Sequence, residues 1–311
     1  TLLGIITFIR DLQFKNVNSP IFVKLFGIIM NMEKRITDAI EEWLDCKVSK
    51  NPSYIHLLLN ADGENFPDEL ITYIKIAHEQ AQKKYIDKIN EFNLDPLEQP
   101  PIYTVVLPLK TLQGYLGEVF GGLIAITQKP FDLDWEIPVH LFSFHDTVFD
   151  WLDMYLQNAE ISTDIPGRTG DDNLAFLRNK NNEIIAVLFI EAKCTLTHNV
   201  TLINDAHSKL SKSNIIPVSR DKIKQLLIEK GDSDSLLFVD AINNITNTQK
   251  ERYDMVSYLY NQKPIKNDSW ISKDKINSYY TGKRNLVAAE LCITNLKNFI
   301  DKIYRNGDSD E

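Results

Sequence analysis

Cysteine is scarce in this chain, and its placement argues against two architectures at once. Cys46, Cys194 and Cys292 are odd in number and far apart, and no CxxC pair or Cys/His cluster occurs. A disulfide framework and a structural zinc site are therefore not expected, and a reducing cytoplasm is the expected compartment. Long apolar runs are missing too. Leu2–Ile9 stops at Arg10 and Phe22–Met32 contains Lys24, both short of the ~20 residues that span a bilayer, so no membrane contact is expected. No GxxxxGK[ST] motif is present, which argues against an NTPase. Positive charge is in deficit, with 34 Lys and Arg against 43 Asp and Glu, a net charge of −9. A protein that coats nucleic acid is disfavoured by that balance, and any nucleic-acid contact is expected at a local basic patch or with a partner's help.

What is present is ordinary globular composition. Of 311 residues, 43% are hydrophobic and 25% charged, enough for a sizeable core in one large domain or two modest ones. Periodicity predicts helices over 33–94: Ile36, Ile40 and Leu44 recur at one helical face, as do Leu70, Ile74, Ala77, Ala81, Tyr85 and Ile89. Asp95–Pro101 (DPLEQPP) reads as a linker. Gly114, Gly117, Gly121 and Gly122 punctuate an apolar stretch and suit close packing of a helix on a sheet. Val139–Phe142 is strand-like, Asp146–Gln157 reads as an amphipathic helix, and Thr201–Leu210 and most of 218–305 read as helical. The expected organisation is a mainly helical region over 1–100, a core over 101–215 and a helical extension over 216–311 packed on that core.

The densest chemistry lies in Asp171–Lys193, DDNLAFLRNKNNEIIAVLFIEAK. An acidic pair opens an apolar strand, and Asn179–Asn182 reverses it, asparagine tolerating the left-handed conformation of a tight turn. A second strand, apolar over Ile184–Ile190, ends in Glu191-Ala192-Lys193. Side chains two apart on a strand share a face, so Glu191 and Lys193 point the same way. A continuously apolar strand suits the middle of a sheet, where a Glu and a Lys are costly to bury unless paired or ligated. Antiparallel pairing across the turn brings Asp171 or Asp172 beside them. Asp172 shares parity with Leu174 and Phe176 and is the favoured acid, with Asp171 the alternate. His198 follows the motif by five residues and could approach a substrate, His207 and Lys209 fall on the next helix, and Arg168, Lys209, Lys212 and Arg220 are candidate phosphate contacts.

An acid opening one strand and Glu-x-Lys ending the next resembles the PD-(D/E)XK nuclease superfamily, over about residues 110–215. The resemblance implies an α/β, restriction-endonuclease-like mixed central sheet flanked by helices, here with further helical regions at both ends. It implies catalytic roles for Glu118, Asp172, Glu191 and Lys193. Asp172 and Glu191 would ligate Mg²⁺ or Mn²⁺ together with Glu118 and the main-chain carbonyl of Ala192, and Lys193 would orient or deprotonate the attacking water. The implied activity is metal-dependent hydrolysis of DNA. The helical additions suggest a nuclease subunit of an anti-phage defence system, recruited by a helicase or ATPase partner; an oligomer is compatible. An RNA nuclease and a non-catalytic nuclease-like scaffold that binds a protein partner are the alternatives.

Overall fold

In the computed structural model the residues described are 34–91, 102–144, 148, 172–212, 219–245, 251–265 and 268–305. A six-stranded sheet runs in the order β1-β2-β6-β5-β4-β3. Its strands are β1 (Asp45–Asn51), β2 (Tyr54–Ala61), β3 (Asn173–Arg178), β4 (Ile184–Thr195), β5 (Glu251–Tyr260) and β6 (Asn285–Ile293). Strands β2, β6, β5 and β4 are mutually parallel, while β1 and β3 close the two edges as antiparallel hairpin partners. The exposed edge strand β1 carries Lys47 and Lys50, charges that discourage a further chain from pairing there.

Helices cover both faces. On one lie α1 (34–43), α2 (Asp68–Glu91), α3 (Leu109–Gln128) and α7 (Leu296–Tyr304), which meet the sheet through residues such as Ile40, Leu70, Leu116, Phe120 and Phe299. On the other lie α4 (Val200–Lys212), α5 (Arg220–Lys230) and α6 (Ser233–Asn243), joined by the β5–β6 connection, which buries Ile271 and Tyr280. Strand parity sorts the two cores: Ala186, Leu188 and Ile190 of β4 face α3, whereas Val187 and Phe189 face α4.

The mixed sheet between helices agrees with the coarse expectation of an α/β fold. The helical readings of both flanks are corrected. Within 33–94 the helices α1 and α2 are separated by the β1–β2 hairpin, and 251–260 and 285–293 are strands rather than helices. Strands from all three expected regions pair in one sheet. Val139–Phe142 forms no strand; Leu141–Phe144 is a short 3₁₀ turn. The amino-terminal 1–33, the linker at 95–101, Arg168 and Asp171 lie outside the described residues, as does the expected helix over 146–157 apart from Val148.

The glycines of α3 follow the packing argument. A Cβ on Gly121 would meet Ile190 Cγ2 at 2.9 Å, and one on Gly117 would meet Cys194 Cβ at 3.2 Å and the main-chain carbon of Lys193 at 3.6 Å. Helix α3 therefore passes directly behind the Glu191–Lys193 segment, at a distance that only missing side chains allow.

Candidate active site

The β3–β4 hairpin forms as the residues predict. Asn173 pairs with Ile190 and Phe176 with Val187. Asn182 takes a left-handed φ of 60° in the turn, and the Asn179 side chain accepts from the main chain of Asn181 and Glu183. These local bonds set the register and hold Asp172, one residue ahead of β3, against the end of β4. Its Oδ2 accepts from the Ala192 N–H at 3.0 Å.

Four charges converge there. Lys193 Nζ lies 2.6 Å from Glu191 Oε1 and 3.7 Å from Asp172 Oδ2. Lys209, reaching across from α4, lies 2.6 Å from Glu191 Oε2 and 3.2 Å from Asp172 Oδ1. Two carboxylates and two ammonium groups thus share one small volume at the carboxyl end of a parallel strand, the end at which open α/β sheets place their ligands. Glu191 is only 2% exposed. Burial, then the neighbouring charge of Asp172, push its carboxyl up to about 7, against the pull of both lysines. Burial works against the Lys193 ammonium, but Asp172 and Glu191 outweigh it and hold that group above the ordinary lysine range. Lys193 is therefore charged at neutral pH, which suits it to stabilising anionic oxygen and not to taking a proton.

Glu118 is placed differently. Its Oε1 accepts from the Phe142 N–H at 2.9 Å and its main-chain oxygen from Asn173 Nδ2 at 3.1 Å, on the α3 face, opposite the face that Glu191 and Lys193 share. Among the described residues no three His, Cys, Asp or Glu side chains form an ion-binding group. The donor set for a cation is thus Asp172, Glu191 and the main chain beside them. That set fits a small hard cation, because Mg²⁺ is commonly held by one or two carboxylates with water and phosphate completing its shell. Lys209 supplies the observation behind the fit: one ammonium group already bridges both carboxylates, so the pair is spaced to share a cation.

The remaining readings sort by geometry. His207 is buried, with Nδ1 against the Ile203 carbonyl at 2.7 Å, a packing role inside α4. Lys209 is the residue of that helix that reaches the acids. Cys194 packs under Gly117, and burial pushes its thiol up, so it is no nucleophile. Helix α4 is itself fixed at its end: the Leu210 carbonyl accepts from Arg252 Nη2 and Arg284 Nη2, and both guanidinium groups pair with the fully buried Asp254. This clamp positions the turn that carries Lys209.

Sequence reasoning passed over one further group. Glu290 on β6 is fully buried, with Oε1 2.8 Å from His56 Nε2 and both oxygens accepting from main-chain N–H groups of Trp270 and Ile271. A lone carboxylate inside the apolar run LVAAELCI was the available signal, hidden by the helical reading of that segment. No protein-family model matches the chain, and no curated protein does either.

Proposed function

We propose that this protein is a metal-dependent nuclease that hydrolyses phosphodiester bonds of DNA, with Asp172, Glu191, Lys193 and Lys209 at its centre. The observation that carries this reading is the pair of carboxylates held within reach of a single cation at the end of β4, with Lys193 beside them. A restriction-endonuclease-like reading of the sheet is supported by the succession of α3, the antiparallel β3–β4 hairpin, α4 and a β5 parallel to β4.

Asp172 and Glu191 would hold Mg²⁺ or Mn²⁺, which when bound supplies Lewis acidity at the phosphate. The chain's own residues account for the rest. Glu191 must be ionised to take part, and its raised pKa places that ionisation near neutrality. Lys193 keeps its proton and meets the negative charge that grows on the attacked phosphate. Lys209 bridges both carboxylates; with Asp172 and Glu191 holding the cation, its ammonium group would be able to meet phosphate charge. The Ala192 N–H holds Asp172 in place throughout.

Incubation with plasmid and single-stranded DNA in Mg²⁺ or in EDTA tests the proposal. Cleavage is expected only with the metal, and Lys193→Ala should lower the rate by about 10²–10³-fold, the usual cost of one transition-state donor. Metal-independent cleavage, or an undiminished Lys193→Ala, would overturn it. The same assay with RNA separates the two nucleic acids.

A further inference from the structure

The acids are not the only polar groups at this end of the sheet. Tyr258 of β5 lies in register with Lys193 and Glu290 of β6 in register with Tyr258, so the three occupy one row on the same face, each ~4.8 Å from the next strand. Glu290 accepts from the Trp270 N–H at 2.7 Å and the Ile271 N–H at 2.8 Å, which bolts the β5–β6 connection to the sheet. The indole is fixed a second time, its Nε1 donating to the Gln262 carbonyl at 3.1 Å. His198, in the loop that leaves β4, stacks on it with ring centroids 3.5 Å apart and planes 7° from parallel. His198 Nδ1 is 3.2 Å from the Tyr258 hydroxyl, and burial, against the pull of Glu290, holds its pKa below the usual histidine value.

Two features of this stack exceed what packing requires. Trp270 and His198 are each only partly buried, although Tyr258, itself fully buried, meets the His198 ring edge-on from the sheet. The connection that carries Trp270 is also basic in an acidic chain. With Arg284 committed to Asp254, its described residues still include Lys263, Lys273, Lys275 and Lys283 against Asp268 and Asp274, an excess of 4 − 2 = +2 where the whole chain carries −9. The four lysines are exposed. The stack meets the sheet at Tyr258 and Glu290, the β5 and β6 residues of the row that begins at Lys193, and an oriented aromatic plane sharing a row with an ammonium group matches what unpaired nucleotides need.

We propose that the His198–Trp270 stack is a platform for an unpaired base of single-stranded nucleic acid, placing the adjoining phosphate toward Lys193 and Lys209. The inference rests on the nuclease reading and adds to it the substrate class: single-stranded or frayed ends in preference to closed duplex. Bases inside a duplex are stacked on each other and offer the platform no face.

The test uses the intact chain in EDTA, with oligo(dT) and a closed hairpin duplex of equal length, read by tryptophan fluorescence and by anisotropy of labelled oligonucleotide. Oligo(dT) should bind more tightly than the hairpin and quench the fluorescence. Trp270→Leu should weaken oligo(dT) binding by about 5- to 150-fold, the range of one lost stacking contact, and leave hairpin binding unchanged. Equal affinity for the two probes, or a folded Trp270→Leu with undiminished oligo(dT) binding, would overturn the proposal. If circular dichroism shows Trp270→Leu unfolded, His198→Ala decides, since it leaves both fixing bonds of Trp270 in place; it too must weaken oligo(dT) binding. The two readings fail separately. Persistent quenching by oligo(dT) with an undiminished Lys193→Ala removes the nuclease and keeps the platform. Loss of cleavage in Lys193→Ala with an unaltered strand preference in Trp270→Leu does the reverse.

Discussion

At the scale of single residues, the four charges around Glu191 set the pH behaviour. Its folded-state pKa lies above the ordinary carboxyl value, at about 7. The folded protein therefore binds this proton more tightly than the unfolded chain. The stability linked to it is full below the unfolded carboxyl pKa and is lost as pH rises through about 7. Urea unfolding across that window should show wild-type stability falling, and Glu191→Gln, which fixes the neutral form, should flatten the profile. A profile unchanged by Glu191→Gln would refute the assignment. Cation binding runs the other way: it needs the ionised carboxylate, so Mg²⁺ affinity should rise with pH and binding should release a proton, read by calorimetry in buffers of different ionisation enthalpy. The convergence of Asp172, Glu191 and Lys193 was legible from sequence because strand parity and a two-stranded reversal leave little freedom. Lys209 was a candidate on the next helix beside His207, and the sequence did not choose between them; nothing in it says which turn of α4 faces the acids, because the Asp254 clamp that decides it is assembled from β5 and the β5–β6 connection.

Elements were legible where their period was. Helices α2, α4, α5 and α6 show apolar residues at helical spacing with polar residues between, and the β3–β4 hairpin is announced by its asparagine turn. Strands β5 and β6 were not, for a physical reason. They lie in the middle of a parallel sheet with both faces covered, so ERYDMVSYLY and NLVAAELCI are buried almost throughout and lack the alternation that marks a half-exposed strand. The glycine-rich stretch is the converse case, since close packing of a helix on a sheet was predicted and the distances bear it out. Two substitutions on α3 separate that constraint from mere helix preference. Gly114 has open space around its Cβ position, so Gly114→Ala should stabilise by roughly 0.5–1 kcal/mol through helix propensity. Gly121→Val must displace Ile190 or lift the helix, and should cost about 1–3 kcal/mol, with the strain delivered to the strand that carries Glu191. Urea midpoints of the two variants moving in the same direction would count against this packing.

At the scale of the whole molecule, the sheet gathers its row of polar groups from distant parts of the chain: Asp172 and Glu191 from one hairpin, Tyr258 and Glu290 from two strands far along, His56 from near the start. No local pattern encodes that gathering; it follows from the strand order β2-β6-β5-β4. The β5–β6 connection adds exposed lysines to an acidic protein, and this makes the ionic-strength dependence informative. Single-stranded nucleic acid releases counterions in proportion to the phosphates neutralised, with log K falling by roughly 0.7 per contact per unit of log salt. If the four described exposed lysines of the β5–β6 connection, Lys193 and Lys209 each met one phosphate, the six contacts would give oligo(dT) a slope of about −4. The double variant Lys273→Glu, Lys275→Glu should take about 1.4 off that slope if both lysines meet phosphate, while the quenching of Trp270 at saturation stays unchanged because the platform is intact. A slope much steeper than about −4 would mean phosphate contacts beyond these six, and a slope indifferent to the double variant would remove Lys273 and Lys275 from the path of the strand.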